Sequence, residues 1–184
     1  METPTSQSPT APTAPTAPTA LSPSAELLRH RIRYPFAFAT WSLLKLPAAW
    51  FTGVRLVSVD TQRCVTSVPY GWRSQNPFRS TYFAAQAMAA EMSTGALGML
   101  ALEDAGVPFS ILIVDMQATF GKKAVSTATF VCEDGAVVFN AVREAKATGE
   151  SRTFTLHSVG TLADGSEISR FSFTWSVKPR RARG

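Results

Sequence analysis

A single carboxylate interrupts a run of small apolar residues. The stretch NPFRSTYFAAQAMAAEMSTGALGML covers residues 76–100, and Glu91 stands near its middle. If the run is helical, side chains three, four and seven positions away share one face. For Glu91 these are Ala84, Ala87, Met88, Thr94, Gly95 and Gly98. No Lys or Arg occurs between Tyr82 and Leu102. A carboxylate on such a stripe must find donors elsewhere, or desolvation raises its pKa. Two readings stay open: a hydrogen-bonded structural Glu, or a general base or nucleophile.

Further groups with chemical potential flank this run. Lys122 and Lys123 follow a long apolar stretch, and Arg73 and Arg79 precede the helix. They read either as solvated turn residues or as contacts for phosphate. Asp115 and Gln117 interrupt an otherwise apolar strand, on one face with Ile111 and Ile113, and are expected at an edge or interface. Other catalytic templates are missing. His30 and His157 are near no nucleophile motif, and there is no GxSxG, P-loop or GxGxxG. Cys64 and Cys132 have no metal-ligand spacing and read as small buried hydrophobes. No metal or separate cofactor is expected. Reduced thiols are consistent with a cytoplasmic location.

The elements that must position Glu91 follow from pattern. Residues 1–23 contain Pro-Thr-Ala four times over residues 9–20 and read as a disordered tail. Residues 24–178 suit one domain, and 179–184 form a basic end. Residues 24–50 look helical, with Ser24 as a cap and with Pro35 and Pro47 dividing the segment. VRLVSVD and RCVTSVPY read as strands, and residues 80–104 as the central helix. About five antiparallel strands are expected after it. The AVVFNAVREAKATG run is one of them, and Asp134-Gly135, Thr148-Gly149 and Asp164-Gly165 are the hairpin turns. In the last run Phe171, Phe173, Trp175 and Val177 alternate with Arg170, Ser172, Thr174 and Ser176. The expected class is α+β, one antiparallel sheet around a long central helix.

Net charge is +5 with a pI of about 9.6, but Lys178, Arg180, Arg181 and Arg183 supply four positives, leaving +1 elsewhere. A nucleic-acid partner is not expected. No segment is long and apolar enough to span a bilayer, and ATWSLLKLPAAWF reads as a packed amphipathic helix rather than a membrane-surface one.

The spacing of Asn76, Tyr82 and Glu91 resembles the motif of hotdog-fold acyl-CoA thioesterases of the phenylacetate-pathway type. The text VPYGWRSQNPFRSTYFAAQAMAAEMSTG is closer still to a hotdog branch catalogued as a domain of unknown function. Tyr82 stands at the family's His position, Phe83 and Ala84 at its two Gly positions, and Arg79 at a loop glycine. The resemblance implies a hotdog fold with an N-terminal helical segment and a thioester substrate carrying coenzyme A. It implies Glu91 as base or nucleophile, with the Asn76–Phe83 segment polarising the carbonyl through the Phe83 N–H, and Asn76 either orienting that loop or contacting the carbonyl. Tyr82, Thr94, Arg79, Lys122 and Lys123 become substrate contacts. Tyr82 and Glu91 are nine residues apart, about 13 Å along a helix, so one chain cannot bring both to one thioester. The implied site therefore needs a homodimer or a dimer of dimers. A non-catalytic hotdog protein that binds an acyl group or acyl-CoA is the alternative.

Overall fold

The computed structural model describes residues 18 and 20–180. Most of the tail expected at 1–23, and most of the basic end, lie outside them. Three helices come first: α1 (Pro23–Arg33), α2 (Pro35–Lys45) and α3 (Pro47–Thr52). Each opens on a proline, where the missing N–H would have had no partner anyway. The prolines thus start helices as well as end them. The cap of α1 is Ser22 rather than Ser24: its Oγ accepts from the Ala25 N–H at 3.4 Å. The Ser22 N–H donates to the Asp104 carboxylate at 2.7 Å, tying the start of α1 to the far end of the central helix.

Strands β1 (Arg55–Val59) and β2 (Cys64–Val68) form the first hairpin. The Asp60 carboxylate closes its turn by accepting from the N–H groups of Gln62 and Arg63 at 2.7 and 2.9 Å. Then come α4 (Phe83–Ala105), β3 (Phe109–Phe120), β4 (Ala128–Cys132), α5 (Gly135–Thr148), β5 (Arg152–Thr161) and β6 (Glu167–Pro179). The strands form one antiparallel sheet in the order β1-β2-β4-β5-β6-β3. α4 lies against β2, β4, β5 and β6, with Ala89, Ala90, Leu97 and Leu100 buried beneath the sheet. A sheet wrapped around a long helix is the hotdog arrangement that the resemblance implies.

The alternation expected in β6 holds: Phe171, Phe173, Trp175 and Val177 are all buried. The Asp164-Gly165 turn also holds, with Gly165 at φ 79°. The AVVFNAVREAKATG run does not. It forms α5, so four strands follow α4, not five. Its buried residues Val138, Phe139, Val142 and Ala145 recur at helical spacing and pack on α4 and β5. Asp134-Gly135 starts this helix and Gly149, at φ 73°, ends it. A Cβ on Gly135 would stand 2.1 Å from the Thr61 carbonyl oxygen, so the glycine is there for close approach and not for a hairpin.

Among the described residues β3 is an edge strand, paired only with β6, and most of its residues are exposed on both faces. This agrees with the edge expected for Asp115 and Gln117. A bulge between Ile113 and Asp115 shifts the register, so the single face shared with Ile111 and Ile113 is broken there.

Candidate functional site

The start of α4 is held by a loop folded on Asn76. The Asn76 Oδ1 accepts from the N–H groups of Phe78 and Ser80 at 3.0 and 3.2 Å, and its own N–H donates to the Ser80 carbonyl at 2.8 Å. Asn76 is therefore occupied as the organiser of this loop. Arg79 adopts the left-handed conformation at φ 58°, at the position where the resemblance has glycine. The Thr81 N–H donates to the Ala124 carbonyl and the Tyr82 N–H to the Ser74 carbonyl, both at 2.7 Å. The next two N–H groups, on Phe83 and Ala84, have no acceptor among the described residues, and no side chain caps the helix.

Beside this helix start lies a cavity of about 550 Å³ lined by Asn76, Tyr82, Phe83, Gln86, Lys122 and Lys123, among others, whereas Ala84 is not part of its lining. Arg79 does not line it. The Tyr82 and Phe83 rings are half-exposed and meet edge to face at 4.9 Å. The Lys123 ammonium reaches the Phe78 carbonyl at 3.4 Å, and Lys122 lies 3.6 Å from the Asp164 carboxylate. One residue here was not foreseen. Gln86 is buried, donates to the Thr81 carbonyl at 3.1 Å and accepts from the Ser169 hydroxyl at 2.9 Å. It bolts the first turn of α4 to β6. Its signal was a lone amide on the same helical face as Ala89, Ala90, Ser93 and Leu97.

Glu91 lies elsewhere. Its carboxylate borders an apolar cavity of about 660 Å³ roofed by Phe38 and Trp41 of α2 and walled by Met99, Ile111 and Trp175. A smaller space of about 260 Å³, against Met88 and the α2–α3 junction, also reaches it. Among the described residues nothing donates to the carboxylate, and burial pushes its pKa above the usual carboxylate range. Two neighbours fix its place. A Cβ on Gly95 would stand 3.1 Å from Glu91 Oε1, so the side chain lies across the space that glycine leaves. Thr94 is fully buried; its hydroxyl donates to the Glu91 carbonyl at 2.9 Å and accepts from Trp175 Nε1 at 3.3 Å. Thr94 thus anchors the backbone below the acid and does not face either cavity.

Within one chain the expected set is divided in two. Asn76, Tyr82, Phe83, Lys122 and Lys123 gather around one cavity, and Glu91 borders the other. No group of His, Cys, Asp and Glu able to hold a metal occurs among the described residues. The family model named domain of unknown function (DUF4442) matches residues 37–177, which include Glu91 and the loop and helix start from Asn76 to Phe83. The chain belongs to this family. Within the DUF4442 match lie α3, α4, α5 and all but the end of the sheet, whereas α1 precedes it.

No curated protein matches this DUF4442 chain. Solved structures share its fold at low identity. A Pseudomonas aeruginosa protein of unknown function, called a probable thioesterase, is 19% identical with a TM-score of 0.61, covering 84% of this chain and 95% of that one. A Haemophilus influenzae thioesterase is 12% identical with a TM-score of 0.61, covering 81% and 94%. A mutant thioesterase from Pseudomonas aeruginosa is 16% identical with a TM-score of 0.57, covering 78% and 93%. At these identities the likeness establishes the fold alone.

Proposed function

We propose that this DUF4442 protein hydrolyses an acyl thioester of coenzyme A, with Glu91 as general base or nucleophile. What supports this most is a carboxylate without a donor, kept basic by burial, at the wall of an apolar cavity large enough for a ligand. The other requirement of acyl transfer is a set of donors for the developing oxyanion. The free Phe83 and Ala84 N–H groups at the start of α4 suit it, aided by the helix dipole. Asn76 orients that loop. Lys122 and Lys123 at the same mouth suit the phosphates of the thiol carrier, with Tyr82 against the acyl path and Arg79 near the rim.

The two halves belong to one reaction if two chains share each site. The 12-residue β3 edge, with its unpaired backbone and exposed Leu112, Val114 and Met116, supports a homodimer joined there. In such a dimer one chain gives the helix start and the other gives Glu91. Water attacks the thioester carbon as Glu91 takes its proton, the tetrahedral oxyanion rests on the N–H groups, and the thiolate leaves. With Glu91 as nucleophile, an acyl-enzyme anhydride forms first and water then opens it.

A second reading, binding without turnover, draws on the aromatic pair Tyr82–Phe83 crowding the oxyanion side of the cavity. The experiment is a panel of acyl-CoA thioesters assayed for thiol release, with Glu91→Ala as control. Thiol release that the substitution abolishes is expected. Acyl-CoA binding with no release from any thioester would overturn hydrolysis and leave the binding protein.

A further inference from the structure

We infer that the cavity beside Glu91 takes a linear aliphatic acyl chain of about ten to sixteen carbons. This names the substrate class of the proposed hydrolysis and rests on that reading. The floor of the cavity is α4. Glu91, Met92, Gly95, Ala96 and Met99 line it, so it follows one helical face for about 12 Å from Glu91 to Met99. Gly95 and Ala96 keep this floor low. A Cβ on Gly95 would stand 3.7 Å from Trp175 Cη2, and one on Gly98 would stand 3.3 Å from Ile111 Cδ1. The Trp175 ring thus stands beside the middle of the floor, and Ile111 near its Met99 end. Helices before β1 close the other side. The Ser22 N–H on the Asp104 carboxylate fixes the start of α1 against the end of α4. From there Leu28 and Ile32 of α1 face the cavity, followed by Phe38 and Trp41 of α2. α2 leaves Phe36 and Leu44 exposed on its other side, so it is packed on one face only. α1 precedes residue 37, so its share of the wall lies outside the family match.

Size and chemistry select the chain. A straight chain advances roughly 1.2 Å per bond, so about ten bonds cover the floor. The volume of about 660 Å³ holds about twenty groups of water size, which a methylene matches, so a longer chain fits by bending. An acetyl or phenylacetyl group would leave much of the space empty and forfeit contact with its walls. Those walls suit hydrocarbon. Trp175 spends its N–H on the Thr94 hydroxyl at 3.3 Å and turns a ring carbon to the floor. The Met92 and Met99 thioethers adapt in shape to chains of different length. Arg31 is the one cation of this lining among the described residues. It is exposed, so its stem covers apolar surface while its charged head stays in water.

The test is hydrolysis by the full chain of saturated acyl-CoA thioesters from acetyl to arachidoyl, beside phenylacetyl-CoA and an ω-carboxydodecanoyl thioester. We expect kcat/KM to rise about two- to fourfold per methylene along the shorter members and to peak between about ten and sixteen carbons. Ala96→Leu raises the floor and should move that peak to shorter chains. Met99→Trp, at a half-exposed position, makes the same test should the buried Ala96→Leu fail to fold. Highest turnover with butyryl or a shorter chain would overturn the proposal. So would a preference for the phenylacetyl or ω-carboxyl thioester over dodecanoyl, or an unmoved peak in both variants. Binding of non-hydrolysable thioether analogues of the same series, followed by calorimetry, separates the chain site from the chemistry. Affinity that follows chain length, with no thioester turned over, would overturn hydrolysis and uphold the chain site. Turnover with affinity indifferent to chain length would overturn the chain site alone.

Discussion

Burial raises the pKa of the Glu91 carboxyl, no donor among the described residues opposes it, and the effect on stability has a sign that can be measured. Below the ordinary Glu range the group is protonated in folded and unfolded chains alike. As pH rises through the raised folded value, the folded state carries a half-buried charge with no donor among the described residues and loses stability. Glu91→Gln carries no such charge. Its melting temperature should therefore exceed that of the parent by a margin that is absent at acid pH and opens towards neutral pH. A margin that stays constant would mean the carboxylate has acquired a donor in solution. Turnover should move oppositely, falling by about 10²–10⁴ with the same substitution. Gly95 gives a second residue-scale contrast. A methyl there meets Glu91 Oε1 at 3.1 Å and forces the carboxylate to turn. Gly95→Ala should lower kcat, yet leave stability unchanged or raised by roughly 0.5–1 kcal/mol, since alanine suits a helix better. Urea unfolding beside steady-state kinetics separates the two effects.

Elements here are joined by buried polar pins as well as apolar packing. The Thr66 hydroxyl donates to the Ala89 carbonyl at 2.6 Å, Ser93 and Ser158 share a hydrogen bond at 2.8 Å, and Gln86 reaches Ser169. Small residues on α4 let the sheet come close enough for these short links, and so hold the helix start and Glu91 at set heights on one rod. α5 depends on an equally close approach. Gly135→Ala would place a methyl against the Thr61 carbonyl, although alanine is the better helix former. We expect a loss of about 1–3 kcal/mol in urea unfolding. No loss would mean that the β1–β2 turn yields freely and that Gly135 is not a packing requirement.

At the scale of the whole molecule the question is how many chains make a site. The start of α4 and Glu91 belong to different cavities of one chain. The protein should elute as a dimer or larger at micromolar concentration. Leu112→Lys/Val114→Lys on the exposed β3 edge should yield a folded monomer without thioesterase activity. Full turnover from that monomer would defeat the shared site and require each chain to unite its own halves.

Much of this was legible in the residues themselves. A buried face repeats every second residue in a strand and every 3.6 in a helix, so β6, the α4 core and the apolar stripe under Glu91 could be read locally. Asp164-Gly165 was readable for the same reason, because a tight turn is a property of its own few residues. Asp134-Gly135 was not. The same dipeptide starts a helix there, because Val138, Phe139 and Val142 have α4 and β5 to pack against, and β-branched residues join a helix when packing outweighs their propensity. Tertiary structure alone decided that Thr94 would face Trp175 rather than a substrate, that Arg79 would sit outside the cavity, and that Phe36 and Leu44 would be left bare. Each of those outcomes depends on what an element distant in sequence places opposite a side chain, and no local pattern encodes that.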